Sequence, residues 1–325
     1  MKITKGTVRS WSRLGQRATF FAAALPEIAS EKEDLYVLTA DLAQLSNLNK
    51  FASLYPDRFI NTGIAEQNMV GIASGLAMEG SCVFATTYSS FIAVRSLEHV
   101  RQHISHLKLN VKLIGTAAGV VAARSGVAHW ATEDVAFMRS LPNMRIICPS
   151  DCDQAYQVAY YAASTSEPMY IRLSGTPNCP MIYDENYVFD PDKIGILREG
   201  SDVAILASGL TVSEALGAAD LLKEKGISCT VADVHTIKPL DRETLRSIMG
   251  SHKLIVTAEE HNIIGGLGSA VAEFKAGLAS SPRQIFIGMN DSFDVSVGSQ
   301  RFIWEQFGIT ADKIAERIEK EFGKQ

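Results

Sequence analysis

Residues 59–78, FINTGIAEQNMVGIASGLAM, set the pattern for the rest of the chain. A short apolar run ends in Asn61, Thr62 and Gly63. From Ile64 onward apolar and small residues recur at helical spacing through Val70, Ile72, Ala73 and Leu76. The spacing predicts a strand, a tight turn, and a buried helix with one carboxylate, Glu66, in its first turn. One reading makes Gly63 the N-cap and Glu66, three residues later, an acid facing the helix dipole. Gly71, Ala73, Ser74, Gly75 and Ala77 point to another role, because side chains this small let other backbone approach and leave little room for water. A carboxylate in such surroundings suits proton exchange.

Outward from this stretch, short apolar runs at 35–39, 82–86, 111–115, 144–148 and 169–173 alternate with helical patterns. This alternation predicts a parallel sheet covered on both faces, with ligands beyond the carboxyl ends of its strands. Glu66 follows one such run, and Tyr88 and Phe91 follow the next. Asp41 and Leu42 end the run at 35–39, and the glycine- and alanine-rich loop 117–130, AAGVVAARSGVAHW, ends a fourth with His129. Tyr88 and Phe91 are spaced as i and i+3, which also fits a pair of core aromatics. Residues 9–29 predict one helix, with Pro26 near its end. Residues 176–195, rich in proline, asparagine and aspartate, read as a linker between domains at 1–175 and 196–325. The second domain repeats the α/β pattern, with strands at 203–207, 229–234, 254–258 and 285–287 and helices at 212–225, 241–249, 267–279 and 312–322. The expected fold is two α/β domains, the second smaller.

Gly63-Ile64-Ala65-Glu66-Gln67, followed one strand later by Tyr88-Ser89-Ser90-Phe91, resembles the pyrimidine-binding domain of the transketolase family of thiamine diphosphate enzymes. Residues 259–268, EEHNIIGGLG, are similar to that family's carboxy-terminal domain. In the family the glutamate contacts N1′ of the cofactor's aminopyrimidine, favouring the tautomer that removes the C2 proton, and the two aromatics flank the ring. The resemblance therefore implies cofactor contacts at Glu66, Tyr88, Phe91, Asp41 and Leu42. It also gives His129 a catalytic role beside Glu66, exchanging protons with a substrate hydroxyl or stabilising an alkoxide. Val94 falls at the family's third pocket position, usually aromatic or arginine. A complete transketolase also has a domain that holds Mg2+ and the diphosphate and starts with Gly-Asp-Gly, a sequence not found here. The resemblance thus implies the second half of a split transketolase, with most of the cofactor's diphosphate and its Mg2+ held by an amino-terminal partner subunit in an α2β2 heterotetramer. The expected reaction moves a two-carbon ketol or acyl unit from a ketose or 2-oxo donor to an aldehyde-type acceptor. Alternatives are the beta subunit of a 2-oxo acid dehydrogenase that serves a lipoyl carrier, and a non-catalytic scaffold.

Departures from the family bear on the small-molecule substrate. Arg13 matches a phosphate-holding arginine, but Gly175 stands in place of a second, Ala117 in place of a loop histidine, and Leu45 in place of a serine that Ser46 adjoins. Ser125 replaces an aspartate that would meet a sugar hydroxyl, and Arg124 beside it offers a cation. Each lost hydrogen bond to a charged group is worth about 1.5 to 3 kcal/mol. The set points away from an ordinary pentose or hexose phosphate.

The composition excludes several other classes. A 46% hydrophobic and 21% charged chain of 325 residues is ordinary globular material. The net charge of -5 argues against nucleic acid, and no apolar run reaches the roughly 18 residues of a membrane span. The expected location is cytoplasmic. Five cysteines without a Cys-x-x-Cys pair read as reduced packing residues. His99, His103 and His106 share a helix face, but no His-Glu-x-x-His order accompanies them. In Gly265-Gly266-Leu267-Gly268 the spacing fits neither a dinucleotide fingerprint nor a phosphate loop, and a closely packed helix entry is expected, with an assembly role for the domain; the resemblance implies that His261 lies nearer the subunit contact than the chemistry, with no catalytic role.

Overall fold

In the first half of the chain six apolar stretches become strands: β1 (Leu35–Thr39), β2 (Phe59–Asn61), β3 (Cys82–Tyr88), β4 (Val111–Thr116), β5 (Arg145–Ile147) and β6 (Met169–Arg172). The structure is a computed structural model that describes residues 3–293 and 296–323. β3 and β4 are buried at nearly every position, because helices cover both faces of the sheet, and their sequences are therefore continuous rather than alternating. The second half supplies β7 (Gly195–Arg198), β8 (Val203–Ala207), β9 (Cys229–Asp233), β10 (Thr236–Lys238), β11 (Leu254–Asn262) and β12 (Arg283–Met289).

The first sheet runs β10-β5-β6-β4-β3-β1-β2 and the second β12-β11-β8-β9-β7. β1 to β6 are parallel, and β10 crosses from the second half to pair antiparallel with β5, Thr236 opposite Ile147. The second sheet is parallel except for its edge strand β7. The two halves thus share a sheet as well as a linker.

Three local expectations are corrected. The helix predicted over 9–29 is broken: Lys5–Leu14 ends at Gly15, and helical structure resumes at Gln16 and continues to Glu31 with a wider turn over Thr19–Ala24. Gly15 has φ 86°, and a Cβ there would lie 2.7 Å from the carbonyl carbon of Thr176. The break lets buried Gln16 accept from the N–H of Ser174 and Gly175 while donating to the carbonyls of Pro149 and Asp151. Gly63 is not the N-cap of the Glu66–Met78 helix; Ala65 is, and Glu66 is its first residue. β11 runs on past Ala258 through the polar residues Glu259, Glu260 and His261, all buried.

Candidate functional site

The carboxyl ends of β1 to β4 meet on one edge of the first sheet. Two non-glycine residues there hold left-handed backbone, Asp41 (φ 59°) after β1 and Ala117 (φ 51°) after β4. Such conformations persist only where their surroundings impose them, and they gather at functional sites. Asn61 imposes the first, since its Oδ1 accepts from the Asp41 N–H at 3.0 Å and its Nδ2 donates to Asp41 Oδ1 at 3.3 Å. Leu42, half-buried, follows with its N–H on Thr39 Oγ1.

Glu66 is 2% exposed, at the start of a helix that buries Ala73, Ser74 and Ala77. Gly71 and Gly75 are exposed with nothing in the described chain close to them, so the expected backbone approach does not occur at those two. Glu66 Oε2 accepts from Arg95 Nη1 at 2.7 Å. The Arg95 guanidinium lies 4.2 Å from the centroid of Phe91, so a flat cation is seated between a carboxylate and an aromatic face. Tyr88 is the last residue of β3, and Phe91 opens the helical segment Phe91–Arg95, with ring centroids 5.8 Å apart. Both are half-buried at the sheet edge, which removes the core-aromatic alternative.

His129 closes the cluster. Its ring sits edge-on to both aromatics, 5.9 Å from Tyr88 and 5.6 Å from Phe91. The turn Val127–His129 presents it, and its Nδ1 is buried without a hydrogen-bond partner among the described residues. A cleft of about 420 Å³ runs beside it, lined by Phe91, exposed Val94, Arg95, Val127, Trp130 and Phe293. Phe293 belongs to the second domain, and no sequence pattern pointed to it.

The other polar candidates divide. Arg13 is exposed in the last turn of Lys5–Leu14, and Arg124 and Ser125 are exposed at the loop tip. The arginine beside Tyr88 is Arg17, half-buried, and among the described residues no carboxylate pairs with it. Burial draws its pKa down and the nearby Tyr88 acts the other way. Arg13 matches the family's arginine in sequence, whereas Arg17 lies past the break at Gly15. At Gly175 a side chain would overlap Gln16, so no arginine fits there.

The glycine cluster is a helix entry. Leu267 and Gly268 donate their N–H groups to the Glu259 carboxylate at 2.7 and 2.8 Å, so an internal anion already fills that helix start. His261 packs inside the chain, its Nε2 accepting from the Ala136 N–H at 3.3 Å and its Nδ1 donating to the Asn262 carbonyl at 2.7 Å. The His99 and His103 rings lie edge-on 5.8 Å apart, and no group of three ligand-type side chains among the described residues could hold a metal. All five cysteines are free and buried.

The family models for the transketolase pyrimidine-binding domain and the transketolase C-terminal domain match residues 16–176 and 192–314. The chain belongs to the transketolase family. Among its relatives, a 6-deoxy-6-sulfo-D-fructose transketolase subunit of Clostridium sp. strain MSTE9 is 39% identical over 89% of this chain and 89% of its own length. One of the apulose-4-phosphate transketolase subunits of Actinobacillus succinogenes is 35% identical over 87% of this chain and 91% of its own. A split-gene transketolase solved as an inactive beta4 tetramer superposes with a TM-score of 0.85 at 37% identity, covering 95% of this chain and 98% of that one. No helix among the described residues is long and apolar enough to cross a membrane.

Proposed function

We propose that this transketolase-family chain is the carboxy-terminal component of a two-subunit, thiamine diphosphate-dependent transketolase that moves a two-carbon ketol unit from a ketose to an aldehyde. The observation that carries the reading is the buried Glu66 carboxylate facing Phe91, with Tyr88 and His129 closing the same cluster. That cluster already seats a flat N–H donor, the Arg95 guanidinium, so its shape and charge suit an aminopyrimidine. When bound, thiamine diphosphate supplies a carbanion nucleophile and an electron sink for breaking and making the bond beside a ketose carbonyl. Glu66 holds the pyrimidine ring nitrogen and its proton, and Tyr88 and Phe91 pack against the ring. Asp41 and Leu42 shape the wall at the end of β1. His129, whose Nδ1 lacks a partner among the described residues, holds a proton at the substrate's hydroxyl. The amino-terminal partner contributes the diphosphate and Mg2+ contacts in an α2β2 assembly.

Relatives named for a sulfonated and for a phosphorylated sugar share an anionic substrate end. Arg17 is this chain's best-placed cation for such a group, with Arg13, Arg124 and Ser125 as further polar contacts. The preferred substrate is an acidic ketose other than the ordinary pentose and hexose phosphates.

The test combines this chain with an amino-terminal transketolase component encoded beside it. Calorimetry with thiamine diphosphate and Mg2+ should show tight binding only for the pair. Ketol transfer should be faster from a 6-sulfo ketose or apulose 4-phosphate than from xylulose 5-phosphate or unphosphorylated ketoses. Submicromolar cofactor binding by this chain alone would sink the split-site reading. Efficient turnover of xylulose 5-phosphate with ribose 5-phosphate would sink the substrate assignment.

A further inference from the structure

The loop that carries His129 is fastened at its root by the other domain. Gly119 and Ala131 exchange backbone hydrogen bonds at 3.1 and 2.9 Å, pinching 119–131 into a closed loop. Above the pinch, the N–H of Val120 donates to Glu260 Oε1 at 3.0 Å. The same oxygen accepts from Gln300 Nε2 at 2.8 Å and Trp304 Nε1 at 2.9 Å, both on the helix Gln300–Phe307. Arg172 Nη2 completes the joint, donating to the carbonyls of Ala131 at 3.0 Å and Glu260 at 2.8 Å, and the Asn262 N–H reaches the Thr132 carbonyl at 2.6 Å. Gly119 has φ 62°, and any side chain there would overlap the Glu260 carboxyl.

Glu260 is 2% exposed, and its Oε2 has no partner among the described residues. A buried carboxyl with one oxygen saturated and the other bare is costly as a structural filler, since burial disfavours its charge and an apolar side chain of similar size would not carry that cost. What the carboxyl adds is direction: three N–H donors, one from the His129 loop and two from the Gln300–Phe307 helix, converge on one oxygen. Phe293, which lines the cleft, precedes that helix in the same domain.

We propose that Glu260 is a positioning residue that sets His129 against Tyr88 and Phe91 by clamping the 117–131 loop to the second domain. The role of His129 rests on the function proposed above, whereas the clamp can be measured without it. The second domain thereby takes part in the chemistry as well as in assembly.

The test compares Glu260→Ala, Glu260→Gln and Trp304→Phe in the full chain and in the reconstituted pair. Amide hydrogen exchange of the chain comes first. Loss of the clamp should speed exchange at residues 118–131 at least about tenfold in Glu260→Ala, with the Glu66–Met78 and Thr211–Glu224 helices unchanged. Glu260→Gln keeps an accepting oxygen at the same place and should stay within about threefold of the parent, while Trp304→Phe, which removes one donor, should fall between. In the reconstituted pair, Glu260→Ala should lower kcat about tenfold or more while cofactor affinity, read by calorimetry, is unchanged. Uniform acceleration of exchange across both domains, or equal loss in Ala and Gln, would show a merely structural joint and overturn the proposal. If Glu260→Ala does not fold, the same comparison between Gln and Trp304→Phe decides it. Loop loosening without activity in any pairing would count against the proposed function and leave the clamp standing.

Discussion

Arg95 occupies the seat that the proposed cofactor ring needs. Its guanidinium is bonded to Glu66 and stacked on Phe91, yet the side chain is 46% exposed, so the pair gains little from an interaction that water screens on one side. A ring entering between Glu66 and Phe91 competes with it. In the reconstituted pair, Arg95→Ala should therefore bind thiamine diphosphate about three- to tenfold more tightly, close to 1 kcal/mol by calorimetry. Weaker binding in that variant would mean that Arg95 supports the cofactor instead of standing in for it. Glu66→Ala should abolish transfer with the fold intact, read by circular dichroism. Glu66, Tyr88 and Phe91 were legible in the sequence through the family resemblance of motifs that follow directly on the ends of β2 and β3, and His129 through the same resemblance, from the middle of the long loop between β4 and β5. Arg95 was not, since its pairing with Glu66 depends on how two helical segments 29 residues apart are set against each other. Nor was Arg17, since the resemblance pointed to Arg13 instead.

Elements show the same division. β3, β4, β8 and the Thr211–Glu224 helix were readable because a buried parallel strand is a continuous apolar run and a covering helix keeps its period. β10 and the far half of β11 were not. β10 exists because β5 offers it an edge, and Glu259, Glu260 and His261 are polar in sequence but hydrogen-bonded in place. The turn at Gly15 also depends on a distant partner. Gly15→Ala must adopt a backbone at φ 86° and ψ 168° that is essentially confined to glycine, at about 1 to 3 kcal/mol, and must in addition push the Thr176 backbone away. The expected loss is about 2 to 4 kcal/mol in urea unfolding. Gly80, with φ 95° and open space where a Cβ would stand, is the control: Gly80→Ala should cost only the conformational part, about 1 to 2 kcal/mol. Equal losses at the two positions would show that contact with Thr176 contributes nothing.

Across the whole molecule, a buried cluster of carboxyls ties the first domain, the linker and the second domain together. Asp151, at the start of the Cys152–Ser164 helix, accepts from the linker N–H groups of Ile182 and Tyr183, and Asp233, at the end of β9, accepts from Ser150, Gln154 and linker residue Tyr183. Asp153 lies beside them, its Oδ2 bonded to Gln157 and its Oδ1 without a partner. Burial, then the neighbouring Asp151, pushes Asp153 up to about 7, and burial lifts Asp151 to about 6 against three backbone N–H bonds. Burial also raises Asp233, opposed by His235, whose own pKa burial lowers. In the unfolded chain these carboxyls titrate near 4. Between about pH 4 and pH 7 the folded chain therefore holds protons that the unfolded chain has released, and the carboxyl contribution to stability falls as pH rises through that window, levelling off above it. His235 works the other way, because its folded form holds fewer protons below about pH 6.5. Asp153→Asn isolates one of these carboxyl contributions, since an asparagine oxygen can still accept from Gln157 and no charge is created at high pH. Denaturant unfolding should find the variant about 1 to 2 kcal/mol more stable than the parent at pH 8 and little different near pH 3.5, below the unfolded value. A gap of the same size at both values would trace the gain to packing, and no gap at pH 8 would mean that Asp153 ionises in the fold as easily as it does in water.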